Sequence, residues 1–173
     1  MKYAELKTTD IANGEGVRVS LFVSGCRRHC KGCFNEIAWD FSYGKPFDEE
    51  AQQLIFDALS PDYIAGLTLL GGDPFEPENQ QALLPFVREV RKRFPHKTIW
   101  CYTGYTYLDG GIAEPHVCQK ETRELISLID VLVDGKFEEE KKDIRLIFRG
   151  SSNQRVIDVK RSLETGEVQL YLP

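Results

Sequence analysis

Cys26, Cys30 and Cys33 fall within eight residues, and no other feature of the sequence restricts the fold as much. A chain that must bring three thiolates together needs a tight loop held by rigid elements around it. The C-x3-C-x2-C spacing lets one such loop grip a corner-sharing cluster, and thiolate is the preferred ligand for iron–sulfur centres. Three protein ligands leave one iron of a four-iron cluster open, which makes the site chemical and not only electron-carrying. Gly25 and Gly32 give the loop backbone freedom. A closed zinc site is the competing reading, but zinc favours four ligands in paired spacing. The fourth would have to come from Cys101, Cys118, His29, His96 or His116, and none of these stands in a paired motif.

The total of five cysteines is odd and makes a poor disulfide framework. No apolar run reaches membrane-spanning length, and the start Met1-Lys2-Tyr3-Ala4-Glu5 is not a signal peptide. A cytoplasmic protein with reduced thiols is the expectation, and in that compartment clustered cysteines point to metal binding or catalysis. The net charge of −5 argues against nucleic acid or an anionic membrane as the main partner. Cys101 sits in an apolar run and reads as a small hydrophobe. Cys118 reads as incidental, the three histidines as surface residues, and the Glu138–Lys142 charge run as a solvated face. With 173 residues and no linker or repeat, residues 1–173 are expected to form a single domain.

Strand-like runs alternate with helical ones. Strands are predicted over 17–23, 66–70, 98–102 and 131–133, with further short ones over 144–148 and 167–172. Helices are predicted over 48–59, 78–94 and 120–129, with Asp48 capping the first and Pro95 closing the second. Residues 110–117 read as a loop. This order implies βαβ units and an α/β fold, a partial, open TIM-type barrel of mostly parallel strands with helices on its outer face. A complete barrel takes about 250 residues. The cysteines, Gly71-Gly72-Asp73, Thr103-Gly104 and Asp134-Gly135-Lys136 each follow a predicted strand. In parallel α/β folds such strand ends gather into one site.

Several segments carry a family likeness: Asn13-Gly14-Glu15-Gly16 with Arg18, Cys33-Phe34-Asn35, Leu70-Gly71-Gly72-Asp73-Pro74, and Ile99-Trp100 with Thr103-Gly104-Tyr105. Val133-Asp134-Gly135-Lys136-Phe137 and Arg149-Gly150-Ser151-Ser152-Asn153-Gln154-Arg155 complete the set. Together they resemble the radical S-adenosylmethionine superfamily and, within its glycyl-radical activase group, the activases of the anaerobic ribonucleoside-triphosphate reductase. The likeness covers most of the chain, and the last two segments are the most specific to that group. Glu15 stands where these activases often carry proline, and Gly32 where many superfamily members carry an aromatic residue. Residues 109–120 make a longer loop than the family's usual one.

The resemblance implies a [4Fe–4S] cluster on Cys26, Cys30 and Cys33, with S-adenosylmethionine chelated to the open iron. Gly71 and Gly72 would let backbone lie against the ligand, and Asp73 would accept from its amino group. Lys136 would pair with its carboxylate, as in a D-x-K element of the pyruvate formate-lyase activase, with Asp134 in support. Gly32, Cys33 and Phe34 are the candidates for the adenine, and Thr103 joins the cofactor-binding set. The implied reaction is reductive cleavage to a 5′-deoxyadenosyl radical, which takes hydrogen from a glycine of the reductase, with a flavodoxin-type electron donor. No residue is expected to act as a general acid or base. The rival enzymes are a pyruvate formate-lyase-type activase and a carboxy-deazaguanine synthase relative, and the GGDP and RGSSNQR segments argue against both. A zinc-binding interaction module is the non-enzyme alternative.

Overall fold

Successive strand residues face opposite sides of a sheet, so a strand that is apolar throughout must be covered on both. The central strands here are nearly so, and the polar residues they carry, Arg18, Ser20 and Thr68, are buried as well. In a computed structural model describing residues 1–173, the chain begins with β1 (Lys2–Asp10), β2 (Val17–Val23), β3 (Lys45–Pro46), α1 (Glu49–Leu59) and β4 (Ile64–Gly71). It continues through α2 (Pro77–Arg93), β5 (Thr98–Tyr102), β6 (Tyr107–Leu108), β7 (Gly111–Ile112), α3 (Thr122–Ser127) and β8 (Val131–Asp134). It ends with β9 (Arg155–Asp158), α4 (Val159–Thr165) and β10 (Leu170–Leu172).

Eight strands form one open sheet in the order β10-β9-β8-β5-β4-β2-β1-β3, and β6 pairs with β7 in a separate hairpin. The four central strands β2, β4, β5 and β8 are parallel, joined by crossovers that contain α1, α2 and α3. The strands at both margins are antiparallel. The open, centrally parallel sheet agrees with the expected partial barrel. Register sorts the side chains into layers: Leu21, Leu69, Cys101 and Leu132 lie side by side across the parallel strands. They belong to a 29-residue core that includes Ile55 and Leu59 of α1, Leu83 and Val87 of α2, and Leu125 and Ile126 of α3. The alternate row of Ser20, Thr68, Trp100 and Val131 faces the other side. There Trp100, Val131, Val133 and Val156 form a second, smaller cluster.

That second side holds a buried arginine. Arg18 donates from Nε to Thr68 Oγ1 at 2.8 Å, from Nη1 to Glu15 O at 3.1 Å and Thr98 Oγ1 at 2.9 Å, and from Nη2 to Leu67 O at 2.9 Å and Thr98 O at 2.8 Å. A guanidinium has five N–H groups, and every one is satisfied without a carboxylate. Burial pushes the Arg18 pKa down to about 10. The Asn13–Arg18 segment thus stitches β2, β4 and β5 together.

Several elements differ from the sequence reading. β1 is unexpected, because its residues alternate weakly and only Tyr3 and Asp10 are buried. Residues 144–148 form no strand: Ile144 is 91% exposed, and Phe148 takes a left-handed φ of 59° with its ring edge-on to Trp100 at 5.1 Å. The ninth strand lies at Arg155–Asp158 instead, followed by an unexpected α4. The helix expected over 120–129 is shorter, although Leu125, Ile126 and Ile129 are buried as read. The expected 110–117 loop contains β7 and a turn of 3-10 helix at Pro115–Val117. The terminal strand shrinks to Leu170–Leu172.

Candidate functional site

The cysteine loop begins where β2 ends, and backbone bonds from two directions set its course. Gly25 N donates to Ala38 O at 2.7 Å and Cys26 N to Trp39 O at 3.1 Å. From the end of β4, Gly72 N reaches Val23 O at 2.7 Å and Asp73 N reaches Gly25 O at 2.8 Å. The glycine pair is required by this close approach. A Cβ on Gly71 would lie 2.5 Å from Val23 N, and one on Gly72 would lie 2.5 Å from Gly25 O and 2.8 Å from Ala38 O. The glycines therefore make room for the cysteine loop, and both line the cavity where the sequence reading expects the ligand.

Asp73 is fully buried and fixes the next strand end. Its Oδ1 accepts from Phe75 N at 2.9 Å and Thr103 Oγ1 at 2.8 Å, and its Oδ2 accepts from Gly104 N at 2.7 Å. Glu76, also fully buried, clamps the cysteine loop: it accepts from Arg27 N at 2.8 Å, Arg27 Nη1 at 2.7 Å and the Tyr105 hydroxyl at 2.7 Å. Asn79 Nδ2 donates to Ser24 O at 3.0 Å and to Asp73 O at 2.9 Å. Neither Glu76 nor Asn79 figured in the sequence reading. Asn79 and Gln80 stand on the buried stripe of α2 with Leu83, Leu84 and Val87, so polar residues in an apolar period were the available signal. Glu76 has no comparable mark.

Cys26, Cys30, Gly32, Cys33, Phe34, Gly71, Gly72, Asp73 and Thr103 line one cavity of about 410 Å³. Most of the sequence-derived site residues thus come together. Asp134 and Lys136 are not among the lining residues. Asp134 is buried, accepting from Arg155 Nε at 3.0 Å, Arg155 Nη2 at 2.5 Å and Tyr107 N at 2.8 Å. It holds the β6 hairpin to the sheet. Lys136 is exposed, and its charge acts on Cys30. His29, His96 and His116 are exposed, with His29 stacked on Trp39 at 4.3 Å. Cys101 is buried in the core and Cys118 lies at the surface.

All three loop thiols are free. Burial, with the Asp73 carboxylate adding to it, pushes the Cys26 thiol up to about 12. Burial also raises Cys30, opposed by the Lys136 charge. Left to the protein alone the Cys26 and Cys30 sulfurs stay protonated at neutral pH. A cationic metal centre reverses that balance and ionises the thiols it binds.

The family model for a 4Fe-4S single cluster domain matches residues 12–157. The chain is 47% identical over 156 residues to the anaerobic ribonucleoside-triphosphate reductase-activating protein of Pasteurella multocida, covering 89% of this chain and 95% of the relative. It is 41% identical over 158 residues to the protein of that name from Escherichia coli K12, covering 90% and 97%. The chain belongs to the family of anaerobic ribonucleoside-triphosphate reductase-activating proteins. A relative in Enterobacteria phage T4 is 38% identical over 156 residues, covering 90% and 93%. The Val133–Phe137 and Arg149–Arg155 segments are clasped together in the fold. Gln154 Nε2 donates to Gly135 O at 2.9 Å, its Oε1 accepts from Gly150 N at 2.9 Å, and Asn153 Nδ2 donates to Lys136 O at 2.7 Å. Gly135, Phe137, Arg149, Gly150 and Gln154 line the same cavity as the cysteines.

Proposed function

We infer that this chain is the radical-generating activase of an anaerobic ribonucleoside-triphosphate reductase. The observation that carries this is the convergence, on one cavity, of three free cysteines in the cluster spacing with the family's own VDGKF and RGSSNQR segments. The donor set suits a [4Fe–4S] cluster: three thiols from one loop, two of them buried, in a cavity already shaped by protein hydrogen bonds. Cys26, Cys30 and Cys33 would hold it. When bound, the cluster and S-adenosylmethionine supply the chemistry, a one-electron cleavage yielding methionine and a 5′-deoxyadenosyl radical that takes hydrogen from a glycine of the reductase.

The protein's own part is placement. Glu76 and the Gly72–Asp73 backbone hold the cysteine loop, and Asp73 locks Thr103 and Gly104 against it. A ligand amine at Asp73 would share Oδ2, which accepts only from Gly104 N and keeps a second lone pair. Backbone at Gly32, Cys33 and Phe34 is the proposed adenine contact. Phe34 is 85% exposed on the cavity rim, available to close over a ligand. An open sheet leaves the mouth wide enough for a protein loop. We assign the 173 residues to one domain, since both halves line this cavity, and place the protein in the cytoplasm with a flavodoxin-type donor. No helix is long and apolar enough to cross a membrane.

The test is transfer of deuterium from glycine-labelled reductase into 5′-deoxyadenosine, with reconstituted activase and a strong reductant. Label in the nucleoside and a glycyl radical signal in the reductase are expected. Unlabelled product beside an active reductase would overturn the assignment.

A further inference from the structure

The resemblance gives the carboxylate of S-adenosylmethionine to Lys136, which is exposed and does not line the cavity. Another cation does line it. Arg28, between the first two cysteines, lies with its guanidinium over the Tyr105 ring at 5.0 Å. Its Nε is buried and has no hydrogen-bond partner, and the nearest acid, Glu114, is 3.9 Å from Nη1. An unpaired buried N–H is costly, and folded proteins leave few of them without a partner or ligand.

The position of this donor suggests what it receives. A Cβ built on Gly104 would lie 3.5 Å from Arg28 Nε and 3.5 Å from Asp73 Oδ2, so a cation and a carboxylate flank the same backbone point. Both residues also line the cavity that holds the cysteines. An unlike pair of this kind complements an α-amino acid, which carries an ammonium and a carboxylate on one carbon. We propose that Arg28 is the positioning residue for the α-carboxylate of the S-adenosylmethionine methionyl end, reaching it with the exposed part of its guanidinium while Asp73 faces the amino group. This rests on the reading above that the cavity binds S-adenosylmethionine.

The experiment uses reconstituted, anaerobic protein in its native, Arg28→Gln and Arg28→Lys forms. Iron and sulfide content and the spectrum of the reduced cluster are recorded first without ligand. Dissociation constants are then measured for S-adenosylmethionine and for its decarboxylated analogue. Arg28→Gln is expected to keep the cluster and its ligand-free spectrum, and to lose roughly 10- to 100-fold in affinity for S-adenosylmethionine. Its affinity for the decarboxylated analogue should match that of the native protein, and Arg28→Lys should recover part of the loss. Equal weakening of both ligands, or no weakening, overturns the proposal. So does a shifted ligand-free cluster spectrum, which would make Arg28 a donor to cluster sulfide, or failure of both variants to assemble the cluster, which would make it a loop-building residue. Native protein that binds neither ligand would instead refute the functional reading beneath it.

Discussion

Asp73 accepts three hydrogen bonds, yet burial pushes its pKa up to about 7 from an ordinary 3.8. An acid raised on folding contributes stability that is complete below its unfolded pKa and is lost as pH rises through the folded one. Between those values the folded state binds more protons than the unfolded chain, so Asp73 makes stability fall as pH rises from about 4 to about 7. Asp73→Asn removes that titration. Denaturant midpoints at several pH values should show the native-minus-variant difference shrinking across this window, and a constant difference would contradict it. Serine at Cys26, Cys30 or Cys33 should abolish stoichiometric iron and sulfide. Cys118→Ser should retain both, and so should Cys101→Ala at a cost of about 1 kcal/mol in stability for its small core void. Iron and sulfide assays beside urea melts separate the two groups.

Secondary-structure elements were legible in the sequence where burial was two-sided. The runs at 17–23, 98–102 and 131–133 are mostly apolar and β-branched or aromatic, and each forms a buried parallel strand. β1 was hidden because most of its residues face solvent, and pairing with β2 sustains it where pattern does not. Residues 144–148 misled for the opposite reason: their apolar side chains line a cavity and meet solvent instead of filling a sheet. Helix α1 was legible down to its cap, Asp48, whose side chain accepts from Ala51 N at 3.0 Å. Asp48→Ala should cost about 1 kcal/mol in a denaturation experiment and leave iron content unchanged. The turn after β4 is a different case. Gly72→Ala places a methyl against Gly25 O and Ala38 O, so overpacking should cost about 1–3 kcal/mol and lower cluster occupancy as well. Full occupancy in a destabilised Gly72→Ala protein would show that the cysteine loop tolerates displacement.

Across the whole molecule, the covalent pattern of the site could be read and its support could not. Spacing marked the thiols, but Glu76, Asn79 and Arg28 matter through the neighbours that the ends of β2, β4 and β5 bring together, a property of the sheet and not of any local run. The same holds for Asp134, read in sequence as support for the site and bonded in space to Arg155 and Tyr107. The bonds that shape the cysteine loop end on Val23 O, Gly25 O, Ala38 O, Trp39 O and the Glu76 carboxylate. Only the Asn35 N bond to Cys33 Sγ, at 3.4 Å, ends on a sulfur. Small metal-dependent domains unfold when stripped, whereas here oxidative damage to the centre and collapse of the chain are expected to be separable events. A molecule bleached by air should keep its melting transition and accept fresh iron and sulfide without passing through a denaturant. That is repair in place, suited to a catalyst whose prosthetic centre is more perishable than its scaffold.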